Sequence, residues 1–140
     1  MKDILDIHSH TIASGHAYNT LYEMARAAAD NGMELFGSSD HGPALPGSSH
    51  EMYFCNFKSI PKELFGMRLI MGCELNILDY KGTLDLKEWL LKRVDYGIAS
   101  IHDLCYKTGS REENTAAAVN AMKSPYVQVI GHPDNANIPL

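Results

Sequence analysis

Apolar and polar positions along this chain fall into short blocks whose period switches between that of a strand and that of a helix. Ile4-Leu5-Asp6-Ile7 is a short apolar run rich in β-branched residues, which predicts a buried strand ending at His8. Thr20-Leu21-Tyr22-Glu23 has the spacing of a reciprocal capping box, and the helix it opens runs through Met24, Ala25 and Ala28 to Asn31, where Gly32 supplies a left-handed stop. Residues 35–39 predict a second strand, ending at Asp40-His41, and residues 42–49, with Pro43, Pro46 and Gly47, a loop. A helical stretch is expected at 57–64, interrupted by Pro61, then a third strand over 68–73, ending at Glu74. Residues 77–84 read as a small excursion turning at Lys81-Gly82. Asp85 is expected to cap a helix over 86–92, and a fourth strand over 96–101 ends at His102. Ser110-Arg111-Glu112-Glu113 is a second capping box that opens a helix to about Lys123; Pro125 blocks its continuation, and a fifth strand over 127–130 ends at Gly131-His132.

Strands that are continuous apolar runs, alternating with helices, predict an α/β fold with a parallel sheet covered by helices. A length of 140 residues predicts one domain with a substantial core. The 45% apolar and 21% charged residues exclude a disordered or fibrous chain. Lys and Arg number 12 against 17 Asp and Glu, a net charge of −5, and the basic residues are scattered, which disfavours nucleic acid as a partner. Cys55, Cys73 and Cys105 form no C-x-x-C pair, and three widely spaced thiols suit a reducing compartment. The start of the chain carries no leader pattern and no apolar run is long enough to cross a membrane, so a cytoplasmic protein is expected.

Chemistry enters with the seven His. Every predicted strand ends in a metal-competent residue, namely His8 with His10, His41, Glu74, His102 and His132, and His16 lies in the first strand-to-helix loop. Parallel strands deliver their carboxyl ends to one rim, so these residues converge. His8 and His10 are two apart in an extended segment and share a face. Imidazole and carboxylate suit zinc, manganese or iron, and Glu74 is the natural bridge between two ions because a neutral imidazole cannot bridge. A single histidine is usually structural; six at one rim point to metal.

Asp6-Ile7-His8-Ser9-His10, Ser39-Asp40-His41, Gly72-Cys73-Glu74, Ser100-Ile101-His102 and Gly131-His132-Pro133 together resemble, in order, the motifs of the PHP (polymerase and histidinol phosphatase) metal-dependent phosphoesterases. With His16, they look most like the small stand-alone trinuclear-zinc phosphatase branch. The resemblance implies a distorted seven-stranded (β/α) barrel, of which about five strands are present here. It also implies that His8, His10 and Glu74 hold one ion, that Glu74 bridges to a second held by His102 and His132, and that His16 and His41 hold a third. An Asp-x-His pair near the family's end, one ligand for the first ion and one for the third, has no counterpart in residues 1–140. Against about 250 residues for a typical barrel, the chain is expected to be a fragment of a longer protein, or else a short form completed by another chain.

The expected function is hydrolysis of a phosphomonoester by metal-activated water, with Glu74, His102 and His132 at the complete ion site. Its rivals are a phosphodiester exonuclease of the same family, which needs a basic track, and an inactive metal-binding or interaction module. Lys107 and Arg111 are candidates for holding a substrate phosphate. Asp40 is a candidate to orient the His41 ring. His50 reads as a solvated loop residue, Cys73 as a buried inert thiol, and Cys105 has no assigned role. Open sheet edges predict a homo-oligomer.

Overall fold

The computed structural model describes residues 4–140. Residues 1–3, which carry part of the leader reading, lie outside them. Five strands run parallel in the order β1 (Leu5–Asp6), β2 (Leu35–Ser38), β4 (Met67–Asn76), β5 (Tyr96–Ser100) and β6 (Val129–Ile130). The helices α1 (Leu21–Asp30), α2 (Glu51–Cys55), α3 (Glu88–Leu91) and α4 (Arg111–Ala121) form the four crossovers between them. The result is a curled half-barrel, a partial (β/α) barrel of the expected kind.

Both capping boxes form: Thr20 with Glu23 at α1 and Ser110 with Glu113 at α4. Other expectations need correction. The helix predicted at 57–64 lies earlier, as α2 and then a 3-10 turn over Asn56–Ser59, because His50 caps it by accepting from the Met52 amide. After Pro61 the chain forms a short strand, β3 (Glu63–Leu64), which pairs antiparallel with the start of β4. Phe65 and Gly66, both at positive φ, close that hairpin. Asp85 caps no helix; α3 starts after Lys87, and the Asp85 carboxylate instead binds Asn76 and Ala44. Strand β4 continues past Glu74 to Asn76, so Glu74 lies inside a strand and not at its end.

That extension divides the chain's interior. Met67, Leu69, Met71, Cys73 and Leu75, alternate positions of β4, pack under the helices with Phe36, Phe54, Phe57 and Leu90. The intervening positions, from Arg68 through Gly72 and Glu74 to Asn76, face the concave side. There the Tyr96 ring lies against Gly72 and its hydroxyl donates to the Ile7 carbonyl at 2.7 Å, tying β5 to β1 across the bowl beneath the rim. A Cβ at residue 72 would overlap that ring. Gly72→Ala is therefore expected to lower stability by about 1–3 kcal/mol through overpacking, read as a lower urea midpoint at unchanged slope.

Candidate metal centre

At the carboxyl ends of the strands one carboxylate stands amid imidazoles. Glu74 is 1% exposed. His8 Nε2 lies 3.2 Å, His102 Nε2 3.4 Å and His132 Nε2 2.9 Å from its Oε1, and His10 Nε2 3.2 Å and His41 Nδ1 3.0 Å from its Oε2. His16 is not at Glu74 but closes the other side, its ring 5.4 Å from that of His10 and 4.9 Å from that of His41. Every histidine singled out at the strand ends and in the first loop is thus brought into one cluster. Three donor sets are compact enough to hold an ion: His8, His10 and Glu74; His41, Glu74 and His102; and His10, His16 and His41. His132 lies outside these three compact sets and meets the cluster through Glu74, 2.9 Å from Oε1. Glu74 and His41 form the floor; His8, His16 and His132 are exposed and form the mouth.

Local structure aims these groups. A parallel bridge between His41 and Glu74 carries the β2–β4 ladder up to the rim. His132 sits at φ 30°, a left-handed conformation that a non-glycine residue holds only when its surroundings impose it. Before it, Gly131 must lack a side chain, since a Cβ would collide with the Ser100 hydroxyl, which donates to Glu74 at 2.6 Å.

The donor chemistry fits a cation. The Ser14 hydroxyl gives its one proton to Asp40 at 2.7 Å, so towards His10 Nδ1, at 3.2 Å, it can only accept. His10 is thereby fixed with hydrogen on Nδ1, and a neutral ring turns its Nε2 lone pair to the Glu74 carboxylate. Two electron-rich atoms at 3.2 Å repel unless a proton or a metal cation lies between them. His41 Nδ1 is fully buried and, although close to Glu74, has no hydrogen-bond geometry with any partner among the described residues. An orphaned nitrogen of this kind is what an absent ion leaves.

Burial alone would raise the Glu74 carboxyl; in the metal-free chain, imidazoles that carry hydrogen on the nitrogen facing it outweigh burial and hold the group well below the usual carboxylate range. Burial lowers His41 below its ordinary value, whereas the Glu74 hydrogen bond raises His132.

Asp40 does not touch the His41 ring. It is buried and accepts from the Thr11 amide and hydroxyl, Ser14 and Tyr53, so it organises the loop after β1 and acts on His10 through Ser14. Ser14, Ser100 and Asn76, which accepts from His102 Nδ1 at 2.7 Å, are contributors that the sequence reading missed. The one available clue was position, Asn76 and Ser100 sharing strand faces with a ligand candidate. Cys73 is buried in the apolar cluster with its thiol raised by burial, as an inert thiol should be. Cys105 is half-buried, pushed up to about 11 by burial, and outside every donor set among the described residues. Lys107 and Arg111 are exposed and form no bond with the cluster among the described residues; Lys107 borders a separate pocket of 160 Å³ with Tyr80 and Tyr106. His50 is the α2 cap described above.

Compared with known proteins, residues 6–136 match the PHP domain family. The whole chain is 49% identical to a protein of Clostridium novyi (strain NT) named a probable phosphatase, and covers 57% of that protein's length. It is 49% identical to a probable phosphatase of Acetivibrio thermocellus, covering 58% of it, and 48% identical over 141 residues to one of Thermoanaerobacter sp. (strain X514), again 58% of its length. The chain thus spans less than two thirds of the curated relatives it matches. No helix among the described residues is long and apolar enough to cross a membrane.

The opposed shifts at His41 and His132 can be read directly. In the metal-free chain, NMR titration of the imidazole protons is expected to show His132 titrating above 6.5 and His41 below it. By linkage His132 then stabilises the metal-free fold below pH 6.5 and loses that contribution as pH rises through its folded value, while His41 stabilises above 6.5 and loses it as pH falls. Reversal of this order would contradict the burial and contacts described.

Proposed function

The chain belongs to the PHP domain family, and on that premise we propose that it carries the metal-binding rim of a phosphoesterase that hydrolyses a phosphomonoester. The observation that carries the reading is the convergence of imidazoles from four strand ends on one buried carboxylate.

In this proposal His8, His10 and Glu74 hold a first ion, Glu74, His102 and His132 a second, and His16 with His41 a third. Zinc fits the donor set, and manganese or iron fits it too. Divalent ions held there would lower the pKa of coordinated water toward about 7 and would neutralise phosphoryl oxygens. The protein's own part is geometric. Among the described residues Glu74 is the one carboxylate in the donor sets and would be the bridge, and Ser100 directs it by donating to Oε1. Burial keeps His41 neutral and therefore a lone-pair donor near neutral pH. The exposed rings of His8, His16 and His132 leave the approach open to a substrate from solvent. A net charge of −5 does not oppose an anionic substrate, because two or three divalent ions reverse the field at the rim. Lys107, on the loop after β5, is the cation proposed to meet the substrate. Arg111, exposed at the first position of α4, is the second candidate.

The family resemblance assigns two further ligands to an Asp-x-His pair near the family's end, which has no counterpart after His132 in residues 1–140, and the relatives' further length is where we place it. The open edges of β1 and β6, with Ile4 and Leu5 exposed at the start of β1, are the surfaces such further strands or a second copy would cover. A version extended to the relatives' length is expected to hydrolyse an aryl phosphate in the presence of zinc and to lose the activity with a chelator. The 140-residue chain should be at least about 10-fold slower, the scale of losing even a supporting group at a metal site. Chelator-resistant hydrolysis would contradict the metal role; equal rates for the two lengths would remove the need for the Asp-x-His pair.

A further inference from the structure

Asn76 is a fully buried polar side chain that no ligand set uses, placed two residues beyond Glu74 on the same face of β4. Its Nδ2 group donates to Asp85 Oδ2 at 2.6 Å and to the Gly42 carbonyl at 3.2 Å. Both amide hydrogens are therefore committed to acceptors. Rotating the amide by half a turn would press its oxygen against a carboxylate and a carbonyl, so its orientation is determined by the chemistry around it. Oδ1 is left facing His102 Nδ1 at 2.7 Å and can only accept. His102 must then carry hydrogen on Nδ1, and in the neutral ring its Nε2 lone pair points to the rim, 3.4 Å from Glu74 Oε1.

Asp85 is held as firmly as the amide it orients. Besides the Asn76 side chain it accepts from the Asn76 amide at 2.9 Å and the Ala44 amide at 3.0 Å, and the Asp85 amide donates back to the Asn76 carbonyl at 3.2 Å. Gly42 is pressed so closely on this carboxylate that a Cβ there would overlap it. The loop after β2 and the residue at the end of the β4 excursion thus clamp one side chain in one orientation.

We propose that Asn76 and Asp85 are positioning residues for the metal centre: Asp85 fixes the Asn76 amide, and Asn76 holds His102 as the Nδ1–H tautomer so that Nε2 is presented to an ion. Metal-binding histidines commonly give their second N–H to a carboxylate or a carbonyl, which fixes the tautomer and raises the basicity of the ligating nitrogen. Here an amide stands between carboxylate and imidazole and relays the same polarity. The inference deepens the proposed metal-dependent reading and rests on it.

The test begins with the unaltered chain, free of metal and above pH 8, in which long-range proton–nitrogen NMR of labelled histidine reports each ring's tautomer. His102 is expected with hydrogen on Nδ1, and hydrogen on Nε2 would overturn the proposal. In Asn76→Ala, His102 should move to the Nε2–H form, and zinc affinity measured in competition with a chromophoric chelator should fall about 10- to 100-fold. Asp85→Asn should weaken zinc in the same direction as Asn76→Ala but less, and it decides the matter if Asn76→Ala does not fold. Unchanged zinc affinity in Asp85→Asn, with His102 still Nδ1–H, would leave the pair a structural clamp and overturn the role. Failure of the metal reading itself would show differently, as zinc not bound by the unaltered chain, whatever the His102 tautomer.

Discussion

A carboxylate cannot be taken out of water without a compensating charge, and Glu74 is buried with no Lys or Arg beside it among the described ion pairs. The effective penalty for an uncompensated buried ion is several kcal/mol. Its neighbours are imidazoles and one hydroxyl. Two solutions exist: protons on several imidazoles, each then repelling the next, or cations shared among neutral rings. His10 and His102 are built for the second, since with the Nδ1 hydrogen committed to an outer acceptor a neutral ring presents its Nε2 lone pair to the rim. The requirement of Glu74 for positive charge therefore governs the rim.

The sheet is arranged to meet that requirement. β4 is central and long; β2 flanks its first half, β5 its second, and their ends carry His41 and His102 to either side of Glu74. β1 and β6 lie outside these and deliver His8 with His10, and His132. Small residues admit the close approach: Gly131 leaves room for the Ser100–Glu74 bond, and Gly72 leaves room for Tyr96, which floors the bowl. Buried Asp40 does for the loop after β1 what Asp85 does for the loop after β2, each carboxylate collecting amide and side-chain donors and so fixing a turn that carries a ligand candidate.

The sequence made the strand-and-helix order and the convergence of the histidines legible, because apolar runs, capping boxes and strand-end histidines are local patterns. The features that stayed hidden depend on partners distant in the chain. Asp85 has the look of a helix cap, and its role appears only once Asn76 and Ala44 are folded against it. Asn76 titrates at no accessible pH and matches no ligand pattern, so only the shared face with Glu74 pointed to it. Asp40 stands beside His41 in sequence yet reaches His10 in space, through Ser14. The β3 hairpin was missed because a two-residue strand has no period to read, and the helix at 57–64 was displaced because His50 caps an earlier start.

X-ray absorption at the zinc edge, on the chain loaded with zinc and dialysed, tests most directly whether Glu74 and its imidazoles share a cation. Zinc is expected to be retained in a shell of nitrogen and oxygen at about 2.0–2.2 Å with the outer scattering of imidazole, without sulfur at about 2.3 Å, and to be lost in Glu74→Gln. Zinc that is not retained, that shows a sulfur shell, or that binds Glu74→Gln as fully as the unaltered chain would contradict a rim governed by that carboxylate.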